Sequence, residues 1–392
     1  MMNDPVVRLS GHVAEVTRKT RWIFVEVETA AGLTGVGEAS LNGQDRAVLE
    51  ATEALSEALF ALPHAAPGPW PLPMDLAAAA AVSAIDHALW DIAGRRAGRS
   101  VAAMLGGPRR VTVPLYANIN RRTLDRRPEG FGKSARAALA AGFTAVKIAP
   151  FDEVMPGMPV AEGAIGLGLD RIAAARAAIG PGCDLLVDCH WRLTEPAAVE
   201  VIRAAAAAAV YWVECPLPET DDTLAALRRL RGLANARGMR LAGCELGIGA
   251  AGFAPFLRAG AYDVMMPDVK YVGGLAEMVR LSDSFAQAKI GFSPHNPTGP
   301  ICHAVSLHVC AASPSLDRLE VQFDETDLFG ALVGNALPPP RGGISALPAD
   351  AAGLGVALAP DVLRRQEVMR FMRHRRGPPS NDTEIYTKCW SL

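Results

Sequence analysis

From about residue 111 onward, short apolar runs recur, each followed by an alanine-rich helical stretch: VTVPLYA, FTAVKIA, CDLLVDC, AVYWVEC, RLAGCE, AYDVMM, AKIGFS and DRLEVQF. Runs of this kind, alternating with helical patterns, mark parallel strands joined by crossover helices. Eight such units are the count that closes a barrel rather than leaving an open sheet. A doubly wound sheet is the competing arrangement, but no GxGxxG follows a first strand and no nucleotide fingerprint is visible. The expected fold class is α/β, with a (β/α) barrel over residues 111–330.

The opening third has a different rhythm. Residues 6–39 read as a strand hairpin: RWIFVEVET alternates outward charge with inward bulk, and AAGLTGVGE supplies the turn and return strand. Gln44–Leu62 and Leu76–Ala97 read as helices, with Ile85, Leu89 and Ile92 at helical spacing, joined by the proline-rich PHAAPGPWPLP. Residues 1–110 are thus expected to form an α+β unit. Beyond Phe323 the pattern loosens. LPPPRGGISALPADAAGLGVAL reads as loop and turn, and MRHRRGPPSNDTEIYTKCWSL as a polar tail, so 331–392 is expected to be a C-terminal segment returning to the first domain.

Composition narrows the function classes. Half of the 392 residues are apolar and 20% are charged, which suits a packed globular protein. A formal net charge of −2 provides no broad cationic field, so neither nucleic acid nor an anionic membrane is expected as a partner; small anionic substrates stay open. The seven cysteines are odd in number and lack a CxxC pair, which argues against a disulfide framework or structural zinc. The start, MMNDPVVRLSGHV, shows no cationic n-region and no apolar h-region, and the alanine stretches 76–82 and 203–210 are too short to span a bilayer. The expected location is the cytoplasm.

In a parallel barrel the chemistry gathers where strands finish. The ends of these runs carry Lys147, Asp188 with His190, Glu214, Glu245, Asp268, His295 and Glu320. Asp188, Glu214 and Glu245 end three successive strands, 26 and 31 residues apart, each interval one βα repeat. Singly, each reads as a carboxylate paired with Lys or Arg. Three meeting at one mouth would repel unless a cation joined them, and an oxygen-only set suits Mg²⁺. Asp268 and His295, on the next two strand ends, make a pair in which the carboxylate orients the imidazole as a general base. His190, two residues beyond Asp188, can point the same way if the strand continues, as a proton donor or as a hydrogen-bond partner of the site. Lys147 is read as a cation beside a substrate carboxylate or as a solvated rim lysine. Glu320 is read as a hydrogen-bond partner of substrate or metal shell, or as a salt-bridged carboxylate. His12 and His64 read as surface or cap residues, and His303 and His308 lie on a helix after the seventh strand.

At these residues the sequence resembles the enolase superfamily, in its mandelate racemase/muconate lactonizing enzyme-like branch. TGVGEA (34–39), AIDHALWDIAGRRAG (84–98) and MLGG (104–107) are similar to the capping region, and VDCHW, WVECPLP, AGCELG, MPDVKYVGG and SPHNPTGP to successive strand ends. The resemblance implies an α+β capping domain over a modified TIM barrel. It also implies Mg²⁺ on Asp188, Glu214 and Glu245, a His295–Asp268 base dyad and a homo-oligomer. Racemases and lactonizing members carry Lys-x-Lys at the second strand; here Lys147-Ile148-Ala149 lacks the second lysine. Asp188-x-His190 instead resembles acid-sugar dehydratases of the galactonate dehydratase type. The implied activity is dehydration of an aldonate-type sugar acid to a 2-keto-3-deoxy acid, with an epimerase or racemase and a non-catalytic metal- or acid-binding homologue as alternatives. The loops 17–22, 42–46 and 150–163 are expected to contact the substrate; Arg18, Lys19 and Arg21 are candidates for a distal polar or anionic group, but read first as solvated strand-edge charges.

Overall fold

The computed structural model describes residues 4–158, 161–337, 342–348, 350–375 and 389–390. The chain opens with three antiparallel strands, β1 (Val6–Thr17), β2 (Thr20–Thr29) and β3 (Thr34–Glu38), so Val6–Thr17 adds a strand to the expected hairpin. The alternation in β2 is not simply apolar inside and charge outside. Ile23, Val25 and Val27 face the core of the first domain, while Trp22 and Phe24, on the face shared with Glu26 and Glu28, join the barrel's hydrophobic cluster. A strand wedged between two cores needs bulk on both faces.

The first expected helix is broken at Leu55 into Asp45–Ala54 and Ser56–Phe60. Leu76–Ala97 forms as one helix, started by the Asp75 side chain accepting the Ala78 N–H (3.0 Å) and ended by Gly98 at φ 61°. Its alanine run therefore belongs to a 22-residue helix that is long enough to cross a bilayer, yet 78% of its apolar window is buried inside the protein. Small residues here let β3 lie directly on the helix: a Cβ on Gly37 would sit 1.9 Å from the Ala84 carbonyl oxygen, and one on Gly35 2.1 Å from that of Ala88.

All eight expected parallel strands form: β4 (Thr112–Asn118), β5 (Ala145–Ile148), β6 (Asp184–Asp188), β7 (Val210–Glu214), β8 (Arg240–Gly243), β9 (Val264–Met265), β10 (Gly291–Phe292) and β11 (Leu319–Gln322). They pair in sequence order from β4 to β10, with β11 on the other side of β4. The ring closes between β10 and β11 through a parallel bridge, Phe292–Leu316, flanked by Phe292 N to Ser315 O (2.9 Å) and Asp317 N to Phe292 O (2.8 Å). A long helix follows each of β4 to β10, whereas β11 is followed by the short Leu328–Ala331.

Among the described residues, three strands lie within the stretch read as irregular. β12 (Ile344–Ala346) pairs antiparallel with the start of β4, and β13 (Glu367–His374) pairs with β1. Met372, Arg373 and His374, expected in the polar tail, thus belong to the first sheet, where they face Ser10, Leu9 and Arg8. Alternating burial could not reveal them, because β13 is only half covered. Cys389–Trp390 (β14) pairs with β13; residues 376–388 and 391–392 of the expected tail lie outside the described residues.

Inside the barrel, Tyr116, Ala145, Leu186, Trp212, Ala242, Val264 and Met266 form an apolar plug, with Tyr116 and Trp212 meeting edge to face at 5.6 Å. The strand period of two then dictates the next layer. Two residues beyond Tyr116, Ala145, Leu186, Trp212 and Met266 stand Asn118, Lys147, Asp188, Glu214 and Asp268.

Candidate active site

Asp188, Glu214 and Glu245 each offer one carboxylate oxygen within 4.8 Å of the others, and all three are buried. Asp188 and Glu214 arrive by the strand period. Glu245 does not. β8 ends at Gly243, and Ala242 faces inward, so Cys244 is next in phase. Cys244 adopts φ 69°, and this left-handed residue brings Glu245 to the mouth one position out of step. Glu219 holds the corner by accepting the Cys244 N–H (2.6 Å) and the Tyr262 hydroxyl (2.7 Å).

Lys147 is not a rim lysine. It is 1% exposed, with Nζ 2.7 Å from Glu214, 2.9 Å from Glu320 and 3.8 Å from Asp188. Burial works against its charge, but these carboxylates outweigh it and hold the ammonium protonated far above neutral pH. Glu320 is both salt-bridged and positioned. It accepts from Asn118 Nδ2 (2.6 Å) and from the Asn296 N–H (3.0 Å), and although burial disfavours its charge, Lys147 and His295 keep it ionised.

A single buried lysine leaves the trio short of positive charge. Burial, with Asp188 and Glu320 nearby, pushes the Glu214 carboxyl up to about 8, against the pull of Lys147. Burial beside Asp188 and Glu214 likewise raises Glu245, whose Oε2 is buried without a hydrogen-bond partner. An orphaned buried oxygen in an all-oxygen set fits a hard divalent ion, which would favour the charged form of Glu214 and Glu245 beside an Asp188 that His190 and Lys147 already keep ionised.

His295 Nδ1 lies 2.7 Å from Asp268 Oδ2, and its Nε2 lies 3.7 Å from Glu245 Oε2. Asp268 is wholly buried and also pairs with Lys270. Burial opposes its charge; Lys270 and His295 prevail and hold it below the ordinary carboxylate range. The carboxylate therefore remains an acceptor, and the imidazole turns Nε2 toward the trio.

His190 reaches the site by a different route from the one expected. β6 stops at Asp188, and His190 and Trp191 take φ 48° and 57°, so the strand does not continue. The turn folds the imidazole back, with Nε2 2.9 Å from Asp188 Oδ2, while the His190 N–H binds Asp188 Oδ1 at 2.9 Å. The Asp188 charge raises the imidazole's pKa against desolvation.

Lys147, Asp188, His190 and His295 line one cavity of about 370 Å³, together with Lys270, Tyr271, Asn118 and Asn120 from the barrel and Ser40, Leu41 and Asn42 from the first domain. Asn118 was legible as the period-two partner of Tyr116; Lys270, in the turn after β9, and Arg121, in the loop after β4, also line the cavity and carry no such signal. Among the described residues, the loop 42–46 contributes Asn42, whereas Arg18, Lys19, Arg21 and loop 150–163 do not line it, and 159–160 lie outside the described residues. Arg21 is instead paired with Asp45 (3.0 Å) and Glu15 (3.3 Å). Of the eight histidines, His190 and His295 line the cavity, and burial marks His12, His303 and His308 as structural. His303 and His308 are buried on helix Pro300–Ala312, and burial pushes each down to about 4. His12, expected at the surface, is 8% exposed between Glu26 and Glu367.

The mandelate racemase/muconate lactonizing enzyme N-terminal domain family matches residues 3–106, and the enolase C-terminal domain-like family matches residues 130–362. The D-gluconate dehydratase of Thermoproteus tenax is 31% identical over 295 residues, 73% of this chain and 56% of that protein, so the match spans little more than half of that relative. The D-galactonate dehydratase of Ralstonia pickettii (strain 12J) is 30% identical over 303 residues, 74% of this chain and 75% of its own. A crystal structure of an enolase superfamily member from Salmonella Typhimurium superposes with a TM-score of 0.81 at 22% identity, covering 94% of this chain and all of that one, a likeness of fold. The chain belongs to the enolase superfamily, in its mandelate racemase/muconate lactonizing enzyme branch.

Proposed function

We propose that the protein is a Mg²⁺-dependent dehydratase of an aldonate-type sugar acid, removing the α-proton and expelling the β-hydroxyl to give a 2-keto-3-deoxy acid. The observation that carries this reading is the trio Asp188, Glu214 and Glu245 within 4.8 Å, flanked by His295 at the Glu245 end and His190 at the Asp188 end. The similarity to gluconate and galactonate dehydratases supports the same class.

Mg²⁺ on these three residues would neutralise the substrate carboxylate and the charge that grows on it. The residues of the chain do the rest. His295, oriented by Asp268, takes the α-proton at Nε2. Lys147, held protonated, stabilises developing carboxylate charge, worth roughly 4 kcal/mol for opposite charges about 4 Å apart at an effective dielectric near 20. His190, whose pKa is raised by Asp188, gives its proton to the β-hydroxyl, which leaves as water; the enol then tautomerises to the keto acid. Racemisation is disfavoured: Ala149 stands where a second lysine would act, and Lys147 is locked protonated. The same reading makes the protein a cytoplasmic catabolic enzyme acting on small carboxylates, assembled as a homo-oligomer.

The test is a screen of sugar acids with Mg²⁺, reading out 2-keto acid, alongside His295→Asn. The variant should lose at least about 100-fold in turnover, within the range for a general base. Keto acid formed equally well by His295→Asn, or solvent deuterium entering recovered substrate without any keto acid, would overturn the dehydratase reading.

A further inference from the structure

The cavity's basic side chains are Arg121, Lys147, His190, Lys270 and His295, and each already has a carboxylate partner. Four of them belong to the reacting end of the site. Arg121 is the exception, and its partner is not part of that machinery. Its Nη1 lies 3.1 Å and 3.3 Å from the two oxygens of Glu325. The Glu325 side chain is only 6% exposed, whereas that of Arg121 is 29% exposed. Glu325 lines a neighbouring cavity of about 390 Å³ and also accepts the hydroxyl of Thr20, the first residue of β2 (2.5 Å). The arginine is thus tied by a buried carboxylate that is itself anchored to the first domain.

Releasing Arg121 to a ligand would strand Glu325 as a buried, unpaired anion, which is strongly unfavourable. The other cavity groups near this end are uncharged. Thr298 Oγ1 and Gln322 Oε1, shared by both cavities, are buried without hydrogen-bond partners. Such groups can meet hydroxyls but cannot neutralise a second carboxylate.

We propose that the cavity selects monoacids over diacids, and that Glu325 is the specificity-determining residue, because it occupies the guanidinium of Arg121, the one among the described cavity residues that could otherwise receive a distal carboxylate. This rests on the reading above that the cavity takes a hydroxylated acid. Removing the Glu325 charge frees Arg121 and opens the site to diacids.

The experiment measures binding, so that it stands apart from turnover. In the His295→Asn background with Mg²⁺, calorimetry compares two monoacid and diacid pairs that differ only at the far end: galactonate with galactarate, and gluconate with glucarate. The monoacid should bind at least about 10-fold more tightly. Glu325→Gln should shift the diacid-to-monoacid affinity ratio upward by at least about 10-fold, and Arg121→Gln/Glu325→Gln should abolish that gain. Diacid preference in the parent, an unchanged ratio in Glu325→Gln, a gain that survives loss of Arg121, or no binding of any acid overturns the proposal. Absence of keto acid from the otherwise unaltered enzyme, with these affinities as expected, would sink the dehydratase reading alone.

Discussion

Cys244 decides the geometry of the whole acidic trio. Without its left-handed backbone, strand alternation would aim Glu245 away from the mouth, and only Asp188 and Glu214 would be left to share Lys147 with Glu320. The third carboxylate tips the site toward a divalent ion, and this has a readout independent of turnover. Mg²⁺ should raise the thermal midpoint of the protein, by about 2.7 kcal/mol of stabilisation when present at about 100 times its Kd. Glu245→Gln should abolish most of that shift, and because it relieves repulsion with Asp188 and Glu214 it should leave the metal-free protein at least as stable. An unchanged response to Mg²⁺ in the variant would remove Glu245 from the ligand set.

Two elements of the first domain carry consequences of their own. β3 rests on helix Leu76–Ala97 through Gly35 and Gly37, which explains why glycines recur in TGVGEA: at Gly37 a methyl group would collide with the Ala84 carbonyl. Gly37→Ala should cost about 3 kcal/mol, an overpacking penalty visible as a lowered denaturation midpoint, whereas Gly32→Ala, with open space around it but φ 81°, should cost no more than about 1 kcal/mol. In the same sheet, His12 of β1 sits between Glu26 of β2 and Glu367 of β13. Desolvation opposes its charge, but the two carboxylates win and raise its pKa from 6.5 to about 9. A folded-state pKa above the unfolded one means stability that is fully present below pH 6.5 and lost as the pH rises through about 9. His12→Gln should therefore be less stable than the parent by about 2–3 kcal/mol at pH 6, with the gap closing by pH 10; a pH-independent gap would show that packing rather than charge holds the sheet together.

At the scale of the molecule, the first domain and the barrel are joined by buried carboxylates placed at helix starts. Glu38 accepts the N–H groups of Gly299 (2.7 Å) and Cys302 (2.8 Å) at the head of helix Pro300–Ala312, and the hydroxyl of Ser40 (2.7 Å), which lines the cavity. Asp86 accepts the Leu275 N–H (2.8 Å) at the head of helix Leu275–Gln287, while Ser83 accepts the Gly273 N–H (3.1 Å) and His87 Nε2 lies 3.1 Å from the Val269 carbonyl. Ser83 and the Asp86-His87 pair of AIDHALWDIAGRRAG thus grip the loop that carries Asp268 and Lys270. Glu38→Ala leaves two helix N–H groups unmet in a dry interface and should cost about 2–4 kcal/mol. Because Ser40 loses its anchor, KM should rise more than kcat falls; a loss confined to stability would separate the interface from the cavity wall.

Eight strands, their order and the layer of polar residues at their ends were legible in the sequence, because burial on both faces enforces apolar runs and the strand period of two is local. Asp188, Glu214, Lys147 and Asp268 follow from that period alone. Glu245 and His190 were found as residue types, but what aims them is backbone conformation at Cys244 and at His190 itself, which no alternation encodes. Arg121 and Glu325 left no pattern of their own: they come from loops 204 residues apart, and only the parallel pairing of β4 with β11, Asn118 opposite Gln322, brings those loops together. Long-range pairing within the first sheet likewise buries His12 and recruits β13, since both depend on partners that are remote in sequence.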